Sequence, residues 1–313
     1  MAQAVGFFFM YSLSTCWNSG KHTDGRPMLE EIRDMGFDYA ELSHGIRLSL
    51  LPGVLNAVES GVIKISSLHN FCPLPIGVNH ASPNIFKFSS TDARERENAY
   101  KHTLKTLEIA ERVKASLVVL HLGSIEMKDY TDRLLQMLEE GQRETAKFEK
   151  LCLEAQEKRE NRREKHQAHA YEMLHRIEEQ AAIRGIRLGI ENREAIEEIP
   201  FESDILFFFK EFNSPTTCYW HDTGHAQIKE NLGFIDHVMH LESVIDRLDG
   251  FHIHDVRFPG RDHCPPGSGS IAFQSLARFV RPDHIKVFEL APGLPPEEVR
   301  AGVEFIKRLW GEE

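Results

Sequence analysis

The sequence predicts an α/β protein: a single (β/α)8 TIM barrel over residues 1–313, with a long helical insertion after the fourth strand. Three observations carry that expectation. Short apolar runs alternate with helical patterns eight times, which implies a parallel sheet closed into a barrel. The length of 313 residues suits one such barrel, which commonly takes ~250 residues, plus an insertion. No Gly-rich phosphate loop follows the first strand, which argues against an open doubly wound sheet.

Val5–Leu13 reads as the first strand. Its apolar run Gly6–Tyr11 has no Lys or Arg before it and no small-residue cleavage pattern after it, so it does not read as a secretory leader. Gly25-Arg26-Pro27 opens a helix to about Met35, with Pro in the first turn. Phe37–Leu42 is the second strand, a helix follows near Leu48–Ser60, and Lys64–His69 is the third strand. After a Pro- and Asn-rich loop, Asp92 reads as an N-cap with Glu95 completing a capping box. Ser116–His121 is the fourth strand.

The connection 126–184 is too long for one strand–helix unit. It reads as two long helices, with the charged run Glu157–Lys165 as an exposed, projecting end. Such a run is most often solvated surface; a lid or a contact with a second copy is the other use it could serve. Arg187–Glu191 is the fifth strand, and a helix near Ser203–Phe212 is capped by Ser203 or Asp204. Thr217–Asp222 is the sixth strand, turning sharply at Gly224, with a helix near Phe234–Leu248. Gly250–His254 and Lys286–Glu289 are the last two strands, joined by the loop Asp255–Ser270 and a short helix from Phe273. The final helix starts at Pro295-Pro296 and ends near Trp310.

The formal net charge of −11 disfavours a broad nucleic-acid surface. Five scattered cysteines without a CxxC pair indicate a reduced, cytoplasmic chain. No stretch approaches the ~20 apolar residues of a membrane span. The composition is compatible with a homo-oligomer, and the seventeen histidines are a high count for a side chain that so often binds metal.

The chemistry lies where the strands end. His69, His121, Glu191, Asp222, His254 and Glu289 each close an apolar run, with His252 two residues before His254. Charges inside a parallel strand are costly, whereas at its C-terminal end they point into the mouth where barrel active sites sit. Carboxylates converging there repel one another unless a cation intervenes, which is the physical case for a divalent metal (Mn, Zn, Mg or Co). His252 and His254 share one side of their strand, so one is expected as a ligand and the other as a hydrogen-bonded core histidine. Glu41 is either an ion-pair partner or a site residue, and His44 and His80 read as plain loop residues.

In this order, His69, His121, Glu191, Asp222-Thr223-Gly224-His225, Gly250–Asp255, His263, Pro266-Gly267-Ser268-Gly269 and Glu289 resemble the xylose isomerase-like TIM barrels. That superfamily joins sugar isomerases and epimerases with repair enzymes of the endonuclease IV type. The resemblance spans the chain except residues 126–184. The epimerase branch implies one metal held by Glu191, Asp222, His252 and Glu289, with His225 on the substrate. The endonuclease branch implies three zinc ions on those residues together with His69, His121, His225, His263 and one further Asp. Asp262 is displaced by one position from the pattern of that branch.

The reading adopted is a sugar, sugar-phosphate or polyol isomerase or epimerase working through an enediolate. It uses one metal rather than three, with Glu191 and Glu289 as base and acid. His121, His225, His254, Arg257 and Arg261 are expected to orient the substrate, and His69, His121, His225 and His263 to serve either substrate or further metal. The alternative is a zinc-dependent phosphodiesterase of the endonuclease IV type; a binding protein without catalysis is a third reading.

Overall fold

The computed structural model describes residues 10–78 and 80–311, so the Val5–Phe9 part of the expected first strand lies outside it. Among the described residues, eight parallel strands close into a barrel: β1 (Met10–Ser14), β2 (Tyr39–Leu42), β3 (Lys64–His69), β4 (Leu117–Leu120), β5 (Arg187–Glu191), β6 (Thr217–Asp222), β7 (Leu248–Ile253) and β10 (Ile285–Phe288). Each pairs with its barrel neighbour, and β10 returns to β1. Two strands absent from the sequence reading, β8 (Asp255–Arg257) and β9 (Arg261–Cys264), form an antiparallel hairpin in the loop after β7. No described helix is long and apolar enough to cross a membrane, and all five cysteines are free.

The helices are α1 (Gly25–Asp34), α2 (Leu51–Glu59), α3 (Ala93–Val113), α4 (Thr131–Glu139), α5 (Ala146–Glu160), α6 (Arg163–Ile183), α7 (Ile205–Glu211), α8 (Thr223–Leu232), α9 (His237–Ser243), α10 (Phe273–Leu276) and α11 (Pro296–Trp310). The long connection therefore holds three helices rather than two. The third, α6, packs on α3 and β5 as the barrel's own helix, so α4 and α5 are the insertion. Asp92 caps α3 by accepting from the Arg94 N–H, but Glu95 does not complete a capping box: its carboxylate holds the Lys87 N–H and the Ser90 hydroxyl of the incoming loop.

Most of the charged run is exposed, as expected, at the turn between α5 and α6, but two of its arginines are tied down. Arg159 is buried, 4.6 Å over the Phe201 ring and 3.0 Å from Asp204 Oδ2. Arg163 reaches Asp204 Oδ1 at 2.5 Å. Asp204, expected as a helix cap, makes no side-chain cap and instead anchors the insertion to the barrel. Arg162 donates to the Glu126 carbonyl at 2.7 Å and lines a cavity beside the barrel mouth.

Gly224 does not make a sharp turn. It lies in the first turn of α8, where Asp222 is the N-cap, accepting from the His225 N–H at 2.7 Å. Glycine is needed there for space: a Cβ would stand 2.0 Å from Cε1 of His254.

Outside the barrel wall, Tyr219 of β6 bonds its hydroxyl to His221 Nδ1 at 3.1 Å and to His240 Nε2 at 2.8 Å, and His221 Nε2 meets His237 Nε2 at 2.9 Å. Burial pushes His237 down to about 3, helped by neighbouring His240, and pushes His240 down to about 4. An unfolded histidine titrates near 6.5, so below that pH the unfolded chain holds more protons and stability falls towards the folded values. Each group contributes up to ~1.4 kcal/mol per pH unit to that slope. In denaturant unfolding between pH 7 and 4.5, His237→Gln should lose stability less steeply with falling pH than wild type. Equal slopes would contradict this account.

Candidate metal centre

Side chains alternate along a strand, so inward columns run Leu117-Val119-His121 on β4, Cys218-Trp220-Asp222 on β6 and Ile285-Val287-Glu289 on β10. The lower members of these columns form a small buried cluster of their own, and the last member of each faces the mouth. Glu191 ends β5, and His252 pairs in register with Asp222 across β6 and β7.

One ligand atom from each of Glu191, Asp222, His252 and Glu289 lies within 4.8 Å of the others, and all four residues are buried. His252 Nδ1 is 2.6 Å from Glu191 Oε1, 3.1 Å from Glu289 Oε2 and 3.9 Å from Asp222 Oδ2. One imidazole nitrogen has a single proton or a single lone pair and cannot satisfy three carboxylates, whereas a divalent cation can be shared by all four groups. Burial opposes the charge on Glu191, but His252 and His121 outweigh it and hold the carboxyl well below its usual range. For Asp222 burial is likewise overcome, by His225 and His254. For His252 burial is overcome by Glu289, Glu41 and Glu191, which raise its pKa well above the ordinary imidazole value.

The neighbours hold these groups in place. A register shift between Ala40 and Glu41 sets Glu41 beside Ser67, whose hydroxyl it accepts at 2.8 Å. Glu41 then faces His252 Nε2 at 3.1–3.2 Å, so Nδ1 is left for the mouth. His254 is fully buried behind Asp222. Its Nδ1 accepts the His263 N–H at 2.9 Å, so its proton sits on Nε2 and is donated to Asp222 at 3.0 Å. Asn192 brackets the Asp222 backbone, accepting its N–H at 2.7 Å and donating to its carbonyl at 3.0 Å.

Among the described residues, four further groups gather ligand atoms: His69–His121–Glu191, His69–His252–Glu289, His254–His263–Glu289 and Glu194–His225–Asp262. His69 donates from Nδ1 to the Asn70 carbonyl at 2.9 Å, and its Nε2 lies 3.6 Å from Glu191 Oε2; burial disfavours a charge on His69, but Glu191 outweighs it and raises its pKa. His121 Nε2 touches Glu191 Oε2, while its buried Nδ1 has no partner. Burial and the charge of Arg193 keep His121 well below the usual imidazole value. His225 Nδ1 donates to the Asn192 carbonyl at 3.0 Å.

His263 Nδ1 is 3.0 Å from Asp262, and its ring stacks on His254 at 4.2 Å. Burial disfavours a charge on His263, but Asp262 and Glu289 outweigh it and raise its pKa to about 10. Arg257 and Arg261 stand exposed on the β8–β9 hairpin and enter none of these groups. The Pro266–Gly269 turn wraps the Asp255 carboxylate, which accepts from the Gly267 and Gly269 N–H groups at 2.9 Å each.

The sequence reading gave no site role to Arg193 or Glu194, and it set His44 aside as a plain loop residue. His44 stacks edge-on against His69 at 4.9 Å. Arg193 lies two residues beyond Glu191, so strand alternation could have placed it on the same side.

The donor sets fit a divalent cation: carboxylates with one imidazole, ringed by groups that fix their orientation. The chain belongs to the xylose isomerase-like TIM barrel family, whose profile matches residues 29–309. No curated protein matches its sequence. In fold it is similar to a D-tagatose 3-epimerase-like protein at 17% identity and TM-score 0.67, covering 96% of both chains. It is also similar to the 3-keto-D-glucoside 4-epimerase YcjR from E. coli, at 16% identity and TM-score 0.67, covering 96% of this chain and 99% of that one. A putative xylose isomerase from Rhodospirillum rubrum aligns at 15% identity and TM-score 0.70, with the same two coverages of 96% and 99%.

Because His252 carries its proton well above the usual range, an ion entering this group at pH 7 must displace it. Binding of Mn²⁺ should therefore release about one proton per ion and weaken as pH falls. Calorimetry in two buffers of different ionisation enthalpy measures the number. Tight binding without proton release would remove His252 from the ligand set.

Proposed function

We propose that the chain is a divalent-metal-dependent isomerase or epimerase acting on a sugar, a sugar phosphate or a related polyol through an enediolate. The observation that carries this reading is the buried Glu191–Asp222–His252–Glu289 group. Beside it lies a mouth cavity of about 980 Å³ that Arg193, Glu194 and Glu198 help to line, within the size range of small-molecule sites. Lys87, Lys128 and Arg162 share that cavity with carboxylates such as Glu126, Asp129 and Asp132, a mixed polar lining that suits the hydroxyls of a polyol chain. The similar structures titled as sugar epimerases support the reading through the chemistry their names share: a carbonyl next to an acidifiable C–H.

Glu191, Asp222, His252 and Glu289 would hold a single metal ion. When bound, it would supply a Lewis acid and a template for a carbonyl and its neighbouring hydroxyl oxygen. Glu191, kept ionised by its histidine neighbours, is the base that takes the proton from the carbon beside the carbonyl. Glu289, on the other side of His252, takes a proton from solvent and delivers it to carbon, while Glu191 gives its proton up to solvent before the next turnover. Return to the opposite face of the same carbon epimerises; return to the neighbouring carbon isomerises. Neither route needs a redox partner. His225, its Nδ1–H tied to Asn192, offers Nε2 to a substrate hydroxyl.

With Mn²⁺ or Co²⁺ present, solvent deuterium should exchange into the carbon beside the carbonyl of a ketose or keto-sugar, and Glu191→Gln should abolish the exchange. A variant that still exchanges would remove Glu191 as the base.

One observation favours the phosphodiesterase alternative: several potential metal groups lie side by side, and Asp262 joins His225 and Glu194 despite its displaced position. Two facts weigh against it. A polyanion is a poor partner for a chain of net charge −11, and a fixed cation stands between the groups. Nicking of abasic DNA that needs Zn²⁺ and disappears in Glu191→Gln would reverse the choice.

A further inference from the structure

We infer that Arg193 is the resident cation of a second metal position, and that it holds this site to one metal ion. The inference rests on the metal reading above and deepens it. The two oxygens of Glu191 face different partners. Oε1 looks to His252 Nδ1 at 2.6 Å, inside the group with Asp222 and Glu289. Oε2 looks the other way, to His121 Nε2 and towards His69 Nε2 at 3.6 Å. A carboxylate turned like this bridges two cations in two-metal sites, where the ions stand ~3.5–4 Å apart.

In this chain the second cation is a side chain. Arg193 Nη1 lies 2.8 Å from His121 Nε2 and 3.3 Å from Glu191 Oε2, with His225 Nδ1 at 3.2 Å. Its Nε is anchored on Glu198 Oε1 at 3.1 Å, and Glu198 is itself held by the Asn84 amide at 2.7 Å. The guanidinium side chain is only 5% exposed.

The exclusion is chemical as well as spatial. Nε2 of His121 is occupied in either tautomer, as an N–H by Glu191 Oε2 or as a lone pair by the Arg193 N–H, and a metal would need that atom at ~2.0–2.1 Å. The guanidinium cannot be deprotonated in a protein, so it adds a permanent positive charge where a further divalent ion would have to stand. His69 alone remains prepared as a ligand, with its proton fixed on Nδ1 by Asn70. Glu191 thus meets one exchangeable ion on Oε1 and one covalently tethered cation on Oε2.

The test is metal stoichiometry and location. Wild-type protein saturated with Zn²⁺ and then dialysed should carry one ion per chain by elemental analysis, and Arg193→Met should carry two. Arg193→Lys, which keeps a cation, should stay at one. Arg193→Met with His121→Ala should return to one. Should Arg193→Met not fold, Arg193→Gln serves, since it keeps a polar contact for Glu198 without the charge. Anomalous scattering from wild-type crystals soaked in excess Zn²⁺ should show no peak between His69, His121 and Glu191. Such a peak, two ions in wild type, or a folded Arg193→Met and Arg193→Gln pair that each hold one ion would overturn the inference while leaving the metal reading intact. No retained ion in wild type would instead refute the metal reading, and the inference with it.

Discussion

Repulsion between buried carboxylates is the constraint around which this barrel mouth is built. Glu41, Glu191, Asp222 and Glu289 all lie among buried residues at one end of the barrel. Two unit charges 4 Å apart repel by ~4 kcal/mol at an effective dielectric of about 20, so several carboxylates together are tolerable only with counter-charge at close range. The chain supplies part of that charge itself, through Arg193 and through histidines whose pKa values the carboxylates raise, His252 and His263 among them. Under the proposed function, a divalent ion on the Glu191–Asp222–His252–Glu289 group would supply the remainder.

The surrounding residues serve the same constraint. His254 spends its proton on Asp222, and only a glycine at position 224 leaves room for the ring that does so. Glu41 fixes the ring of His252 from below, and Asn192 ties the end of β5 to that of β6. The apolar interior of the barrel, from Leu117 and Val119 to Trp220 and Val287, gives these ligands a stiff floor. The proposed carbon-acid chemistry would gain from such a site, because its base and acid would keep their places while the substrate changes charge.

The strands and the residues gathered at their mouth ends were legible in the sequence because they share one signal. An apolar run ending in His, Asp or Glu marks both the strand and its mouth end, and Lys64–His69, Arg187–Glu191 and Thr217–Asp222 have the bounds that signal indicates. Where the signal fails, a physical reason can be found. Helix α8 is buried on nearly every side at the rim, so it has no polar face to reveal a period. The hairpin strands have three and four residues, too few for an alternation to stand out. The insertion reads as exposed because its charges are many, but the partner that buries Arg159, Asp204, lies 45 positions away along the chain. Arg193, Glu194 and His44 sit in loops, and which loops meet at a barrel mouth is decided by closure of the sheet rather than by neighbouring residues.

The central claim is that the carboxylates of β5, β6 and β10 converge in order to hold a metal. Anomalous diffraction at the manganese edge, on crystals grown with Mn²⁺, tests it most directly. The account requires a peak bounded by Glu191, Asp222, His252 and Glu289. An ordered map with those four side chains in place and no peak among them would contradict it.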